Sequence, residues 1–227
     1  MSSCMNPFDA LRQALNSING QWSTAQTAAP AEYRQTLEHV VDSLDRRSHH
    51  FHYEEDGLQP LILQFGRMFF CGALDNVEYR PRTRLEEGIH GATRRSETDG
   101  RMLIEVDIDM GLVGERDKSL SQSVIATVLH ECVHAYFRVV ACDAEEAACS
   151  SDSCAKAYEA ALGIGGHGTC WQILAAAVER KANETLGIQG LDLGRAEGVI
   201  TYHKRNVEPL SKEVLEHCFG KGHTLLH

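Results

Sequence analysis

Residues 123–137 read SVIATVLHECVHAYF, and the motif HECVH at positions 130–134 decides how the chain is interpreted. Side chains four residues apart on a helix project from the same face, so His130 and His134 can reach one metal ion. Glu131 lies beside them, where it can hold a metal-bound water and take a proton from it. The motif therefore predicts a helix that binds a metal.

The helical interpretation is supported by the spacing of the apolar residues around the motif. They recur at helical intervals, as Val124, Ile125, Val128, Leu129 and Val133. Residues 119–122, SLSQ, offer a capping box at the start of the helix. The alternative is a core helix with two incidental histidines. Burying two imidazoles and a carboxylate among aliphatic side chains is energetically unfavourable unless these groups serve a function, so we favour a zinc site.

The composition is that of a soluble globular protein. The chain has 227 residues, of which 43% are hydrophobic and 24% charged, enough for one domain or one domain with a small appendage. Its first residues lack the basic and apolar regions of a secretory signal, and no apolar run approaches the length of a membrane span. We therefore expect an intracellular protein, nuclear or cytoplasmic, whose eight cysteines are thiols or metal ligands rather than disulfides.

The charge of the chain argues against a general attraction to nucleic acids. The formal net charge is −10, which does not favour binding to phosphates. One third of the chain nevertheless holds a group of arginines, at Arg80, Arg82, Arg84, Arg94, Arg95 and Arg101. Weak, local DNA binding through this group is one alternative. The other is that these arginines lie on a solvated sheet and pair with Glu86, Glu87 and Glu97.

A pass along the chain predicts helices, then strands, then the HECVH helix. We expect a weakly ordered lead-in over residues 1–29 with one helix near 8–15, a second helix around 37–44, and a third from Pro60 to about Cys71. A polar segment at 48–56 contains His49, His50 and His52, and we interpret it as a solvated connector. Strands are expected at 77–80, 88–94 and 101–109, with a hairpin turn at Thr98-Asp99-Gly100. This order predicts an α+β fold with a small antiparallel-rich sheet.

A catalytic zinc needs a third protein ligand and one open position. The metzincin pattern is excluded, because Phe137 and Val140 stand where it requires Gly and His. A later carboxylate is one alternative, offered by Glu145, Glu146 and Glu159. The other is His167, in the segment GGHGTCW at 165–171, where glycines permit close approach of the backbone and a helix begins. A His at such a junction can also be an ordinary capping or loop residue.

Together, HECVHAYF and GHGTCW resemble the SprT-like (Spartan-type) metalloprotease family, whose pattern is HExxH followed by HGxxF or HGxxW. The resemblance covers roughly residues 75–190. It implies a zincin-like core, proteolysis, zinc held by His130, His134 and His167, Glu131 as the general base, and Trp171 packed beneath the site. The best-known members of the family cut proteins crosslinked to DNA, so protein substrates are the partners it implies.

This chain departs from the family pattern in two ways. Between His134 and His167 lies an acidic stretch with Cys142, Cys149 and Cys154, which we interpret as an inserted loop with free thiols. The alternatives are a structural zinc with a fourth ligand such as Cys170, or a disulfide. No CxxC…CxxC ribbon follows. Some family members contact DNA through such a ribbon, so the resemblance gives no support for DNA binding here.

We divide the chain into an N-terminal helical segment packing on the core (1–74), a SprT-like catalytic core (75–202) and a C-terminal tail with a terminal helix (203–227). Substrate is expected to pair with an exposed sheet edge, at 88–94 or 101–109. Two other functions remain open. One is a catalytically silent, zinc-stabilised interaction module, and the other is a hydrolase of small substrates.

Overall fold

The structure, a computed structural model, describes residues 5–45, 58–82, 90–107, 120–141, 152–188, 190–206 and 208–220. Its helices are α1 (Pro7–Asn19), α2 (Thr24–Asp45), α3 (Gln59–Phe69), α4 (Leu120–Val140), α5 (Asp152–Leu162), α6 (Thr169–Leu186), α7 (Arg195–Arg205) and α8 (Lys212–Phe219). Its strands are β1 (Glu78–Arg82), β2 (Gly91–Arg95) and β3 (Met102–Asp107). The architecture is α+β, as predicted. None of the described helices combines the length and the apolar character needed to cross a membrane.

Helix α4 is the helix predicted around the HECVH motif, and it lies at the centre of the core. Val124, Val128, Leu129 and Val133 are fully buried. The helix contacts β2 and β3 on one side and α3 and α6 on another. The capping box predicted at 119–122 includes Ser119, which lies outside the described residues.

The sheet has the order β1-β3-β2 and is mixed. Strands β2 and β3 are antiparallel and are joined by the predicted turn, where Gly100 has a φ of 70° and the Ser96 amide donates to the Arg101 carbonyl at 2.8 Å. Strands β1 and β3 are parallel, so the expectation of an antiparallel-rich sheet is wrong for this pair. Strand β2 runs opposite to both β1 and β3, so β3, which is buried between them, runs parallel to β1.

The N-terminal residues are more ordered than the sequence indicated. The helix expected at 8–15 extends over Pro7–Asn19 and completely buries Ala10, Ala14 and Ile18. Tyr136 on α4 donates a hydrogen bond of 2.8 Å to the Ala10 carbonyl. The prediction of a weakly ordered lead-in is therefore wrong, since the small residues of α1 let it pack closely on the core.

The two further helices predicted in the N-terminal third are confirmed. The helix expected around 37–44 is the second half of α2, and the helix expected from Pro60 is α3. Gln26 of α2 ties these elements together, because its amide donates to Ser17 Oγ at 2.9 Å and to the Met68 carbonyl at 3.2 Å. The histidine-rich segment 48–56 lies outside the described residues.

The stretch between His134 and His167 is not a loop throughout. Helix α5 begins at Asp152 and carries Cys154, which is a thiol and forms no disulfide with another described cysteine. Cys142 and Cys149 lie outside the described residues. Near the C-terminus the predicted terminal helix is confirmed as α8, and α7 precedes it.

Candidate metal centre

Three imidazoles meet at one point between α4 and the start of α6. His130 and His134 project from the same face of α4, and His167 lies two residues before α6. The Nε2 atoms of His130 and His134 are 3.1 Å apart, and each lies 3.2 Å from Nε2 of His167. No other group of this kind exists among the described residues. The structure thus brings together the three histidines that the sequence singled out.

The distances within this group fit a metal ion. In a tetrahedral zinc site with Zn–N distances of about 2.0–2.1 Å, the ligand nitrogens lie about 3.3 Å apart. Three neutral imidazoles whose Nε2 atoms face one another cannot all satisfy one another by hydrogen bonds, because each offers either one proton or one lone pair. A cation at the centre satisfies all three lone pairs. The His130–His134–His167 group can therefore hold a metal ion.

A hydrogen bond sets the tautomer of His130. Its Nδ1 lies 2.7 Å from the carbonyl oxygen of Leu193, in the segment between α6 and α7. A carbonyl can only accept, so Nδ1 carries the proton and donates it, which leaves the lone pair on Nε2. This backbone contact orients the ring toward the other two histidines.

The segment that carries His167 is shaped by glycines. Gly163, Gly165 and Gly166 have φ values of 66°, 95° and 79°, in the left-handed region that other residues rarely adopt. A β-carbon on Gly166 would lie 3.0 Å from Nδ1 of His134, so the chain passes directly over that ring. These glycines allow a tight path that returns His167 to α4.

Asn206, at the end of α7, holds the same glycine segment in place. Its side-chain oxygen accepts the Ile164 amide at 2.8 Å, and its side-chain nitrogen lies 3.2 Å from the Ile164 carbonyl. The side chain therefore pairs with both backbone groups of Ile164. Within α7, a β-carbon on Gly198 would lie 3.1 Å from Cδ2 of His167, closer than an ordinary van der Waals contact.

Trp171 forms the floor of the group, as the family resemblance implies. The side chain is fully buried, and its ring centroid lies 4.7 Å from those of His130 and His167 and 5.4 Å from that of His134. The indole contacts all three imidazoles and restricts their movement away from the common centre.

Glu131 lies beside the three histidines and outside their group. Its Oε1 is 3.9 Å from Nε2 of His130. The hydroxyl of Thr93 on β2 lies 2.7 Å from Oε2 of Glu131 and donates to it. A β-carbon on Gly91 would lie 2.8 Å from Oε1, so the absence of a side chain there leaves room for the carboxylate. Strand β2 therefore positions Glu131.

Burial changes the acid–base character of these groups. It raises the pKa of Glu131, and the neighbouring His130, the hydrogen bond from Thr93 and the charge of Arg138 oppose that rise. Burial lowers the pKa of His134 well below its usual range, and lowers that of His167 to about 3. The two histidines are therefore neutral near pH 7, which is the form that binds metals.

The group opens into a cleft of about 940 Å³. The cleft is lined by β2, by α4 residues on both sides of the motif, and by α5, the glycine segment and α7. Arg138 and Arg205 line the cleft, as do the acidic Glu159, Asp192 and Glu197. The cleft is lined by charges of both signs.

The carboxylates considered as alternative third ligands do not join the histidines. Glu159 lies on α5, is exposed and is absent from the metal-binding group. Glu145 and Glu146 lie outside the described residues.

Sequence reasoning missed three positioning residues: Thr93, Leu193 and Asn206. Each acts on the site through a contact that is distant in the chain, and no local spacing pattern predicts such a contact. Gly198 offered one signal, because a glycine within a helix has an energetic cost and often marks a close approach.

The chain matches no protein-family model, no curated protein and no solved structure. The resemblance to SprT-like proteases therefore depends on the two motifs quoted above.

Proposed function

We propose that this protein is a zinc-dependent endopeptidase of the SprT-like type, with a zincin-like core. The observation that carries the proposal is the triangle of Nε2 atoms at 3.1–3.2 Å with a buried carboxylate next to it. A donor set of three imidazoles with one open position is typical of catalytic zinc. A purely structural site needs neither the open position nor a neighbouring base.

The chemistry assigned to each residue follows from its position. Zinc, when bound, would polarise the scissile carbonyl and lower the pKa of a water molecule. Glu131 takes a proton from the attacking water and passes it to the leaving amine. Thr93 holds the carboxylate by its second oxygen, so that Oε1 stays on the side of the histidines.

Strand β2 is the best candidate for binding the substrate backbone. Strand β3 is paired on both sides, whereas β2 lies at the edge of the sheet, and His90, Gly91, Ala92 and Thr93 line the cleft. An extended peptide that pairs with β2 would place its backbone beside Glu131. Backbone pairing contacts few side chains of the substrate, so we expect cleavage to depend little on the substrate sequence.

The substitution Glu131→Gln tests this proposal. The variant should lose hydrolysis of casein and of a DNA-crosslinked protein, the substrate class that the family resemblance implies. It should keep its fold and one zinc, because the carboxylate lies outside the histidine group. Metal analysis, circular dichroism and a cleavage assay measure these three properties. Glu184→Gln, an exposed change on α6, is the matched control and should retain activity.

Other outcomes of the same assay distinguish the alternative functions. Loss of zinc from Glu131→Gln would make Glu131 a ligand and contradict the mechanism. A zinc-loaded wild type that cleaves no protein would favour the silent interaction module. Hydrolysis of small esters or amides alone would favour a small-substrate hydrolase.

A further inference from the structure

A buried polar network connects the C-terminal helix to His130. Glu179 on α6 accepts the Leu193 amide through Oε1 at 2.7 Å and Nε of Arg195 through Oε2 at 2.6 Å. Arg195 also donates to the Cys218 carbonyl at 2.7 Å. The carbonyl of Leu193 in turn accepts from Nδ1 of His130. Both backbone groups of Leu193 are thus held, one by Glu179 and one by the candidate metal ligand.

The network is largely buried. The side chains of Glu179 and Arg195 are 10% and 16% exposed, and Leu193 is 2% exposed. The guanidinium of Arg195 also lies over the ring of Phe219, 4.6 Å from its centroid. A buried ion pair is a weak source of stability, since apolar residues of similar volume often stabilise a fold as well or better. Stability alone therefore does not account for a charged pair at this position.

We propose that Glu179 and Arg195 are positioning residues for the metal centre. They fix the segment 193–195 so that the Leu193 carbonyl holds the His130 ring with its Nε2 toward His134 and His167. Partners of this kind behind a metal-bound histidine fix its orientation and increase its strength as a ligand. Because Arg195 also binds the end of α8, metal affinity depends on the C-terminal residues up to Phe219. The inference rests on the metal-binding part of the proposed function and not on proteolysis.

The affinity of the protein for Co²⁺ tests the inference without an activity assay. Metal-free protein is titrated with Co²⁺ against a chelating competitor, and the visible absorption of the bound ion is recorded. Glu179→Ala removes the acceptor for the Leu193 amide, so affinity should fall by about 10–100-fold and the absorption spectrum should change. Glu179→Gln keeps one acceptor oxygen and should restore part of the affinity.

Glu105→Ala is the matched control. Glu105 is the buried partner of Arg94 in the sheet, with a side chain 3% exposed, so its loss perturbs folding in a similar way but leaves Leu193 untouched. Cobalt affinity of this control should match the wild type.

A folded Glu179→Ala protein with wild-type affinity and spectrum would overturn the inference. If that variant does not fold, Arg195→Gln serves instead. It removes the guanidinium bonds to Glu179 and to the Cys218 carbonyl and should lower cobalt affinity, so unchanged affinity and spectrum in it would overturn the inference. A wild-type protein that binds neither Co²⁺ nor Zn²⁺ would contradict the proposed function itself.

Discussion

At the scale of single residues, the site depends on which atom of each side chain carries a proton. His130 donates from Nδ1 to a backbone carbonyl, so its Nε2 is free to bind a cation. Burial keeps His134 and His167 neutral at physiological pH. Glu131 accepts a hydrogen bond from Thr93 at one oxygen and presents the other toward the histidines. Each of these assignments can be tested by substituting one residue.

Thr93→Val tests the role of the Thr93 hydroxyl, because it removes one hydrogen bond and keeps the shape of the side chain. A hydrogen bond to a charged group contributes about 1.5–3 kcal/mol, so we expect kcat to fall by about tenfold or more. Zinc content should stay at the wild-type value, because the Thr93 hydroxyl bonds to Glu131 and not to a histidine. KM should change little, because the backbone of β2 that would pair with substrate is unaltered. Steady-state kinetics with a peptide substrate measure the change.

Thr93→Ser supplies the control for that experiment. It restores the hydroxyl, so its kcat should return close to the wild-type value. Equal kcat for Thr93→Val and the wild type would mean that Glu131 is positioned without β2.

At the scale of elements, the sequence was most informative where the determinants are local. The HECVH helix follows from the spacing of its apolar residues, and the path to His167 follows from its glycines. The role of α7 could not be predicted in this way. The residues that flank α7 contact the site across 63 positions of the chain, as between His130 and Leu193, or across 42, as between Ile164 and Asn206. The pairing of β1 with β3 likewise joins strands that are not consecutive in the chain, which strand propensity does not predict.

Asn206→Ala tests the contribution of α7 to the path of the glycine segment. The change removes the two contacts with Ile164 and one with the Tyr202 carbonyl at 2.9 Å. Hydrogen bonds contribute about 0.5–1.5 kcal/mol each, so loss of three should lower the free energy of unfolding by about 1.5–4.5 kcal/mol. Zinc should dissociate faster, because the segment that carries His167 gains freedom. Urea unfolding and zinc release to a chromogenic chelator measure the two effects.

The control for this prediction is Asn6→Ala, which removes the cap of α1. It should lower stability by about 0.5–2 kcal/mol without changing zinc release. Equal zinc release in Asn206→Ala and the wild type would contradict the account of α7.

At the scale of the whole molecule, the arginines that the sequence singled out bond to neighbouring groups wherever the structure describes their side chains. Arg80 pairs with Glu78, Arg94 with Glu105, and Arg101 with both Asp99 and Glu78. Arg95 donates to the carbonyls of Gly100 and Arg138. Arg84 and the candidate partners Glu86 and Glu87 lie outside the described residues. Three of these arginines therefore pair with acidic side chains, as the second alternative expected. Their ion-pair partners are Glu78, Glu105 and Asp99 rather than Glu86, Glu87 or Glu97.

We predict that DNA binding is weak and strongly dependent on salt. Each phosphate contact changes the slope of log K against log [salt] by about one unit, so a few contacts give binding that fades near physiological salt. Anisotropy titrations of a labelled duplex at about 50 and 200 mM salt measure the slope. Replacing Arg94 and Arg95 by Gln should weaken binding, whereas Arg12→Gln on α1 should not. Tight binding that is insensitive to salt would contradict this prediction.

The zinc content of the purified protein tests the central claim most directly. Native mass spectrometry of the wild type and of His167→Ala, with Glu159→Ala as the control for the alternative ligand, reports the number of bound ions. We expect one zinc in the wild type and in Glu159→Ala, and loss of tightly bound zinc in His167→Ala, because only two imidazoles then remain. Full zinc content and affinity in His167→Ala, or loss of zinc in Glu159→Ala, would contradict the assignment of His130, His134 and His167 as the metal ligands.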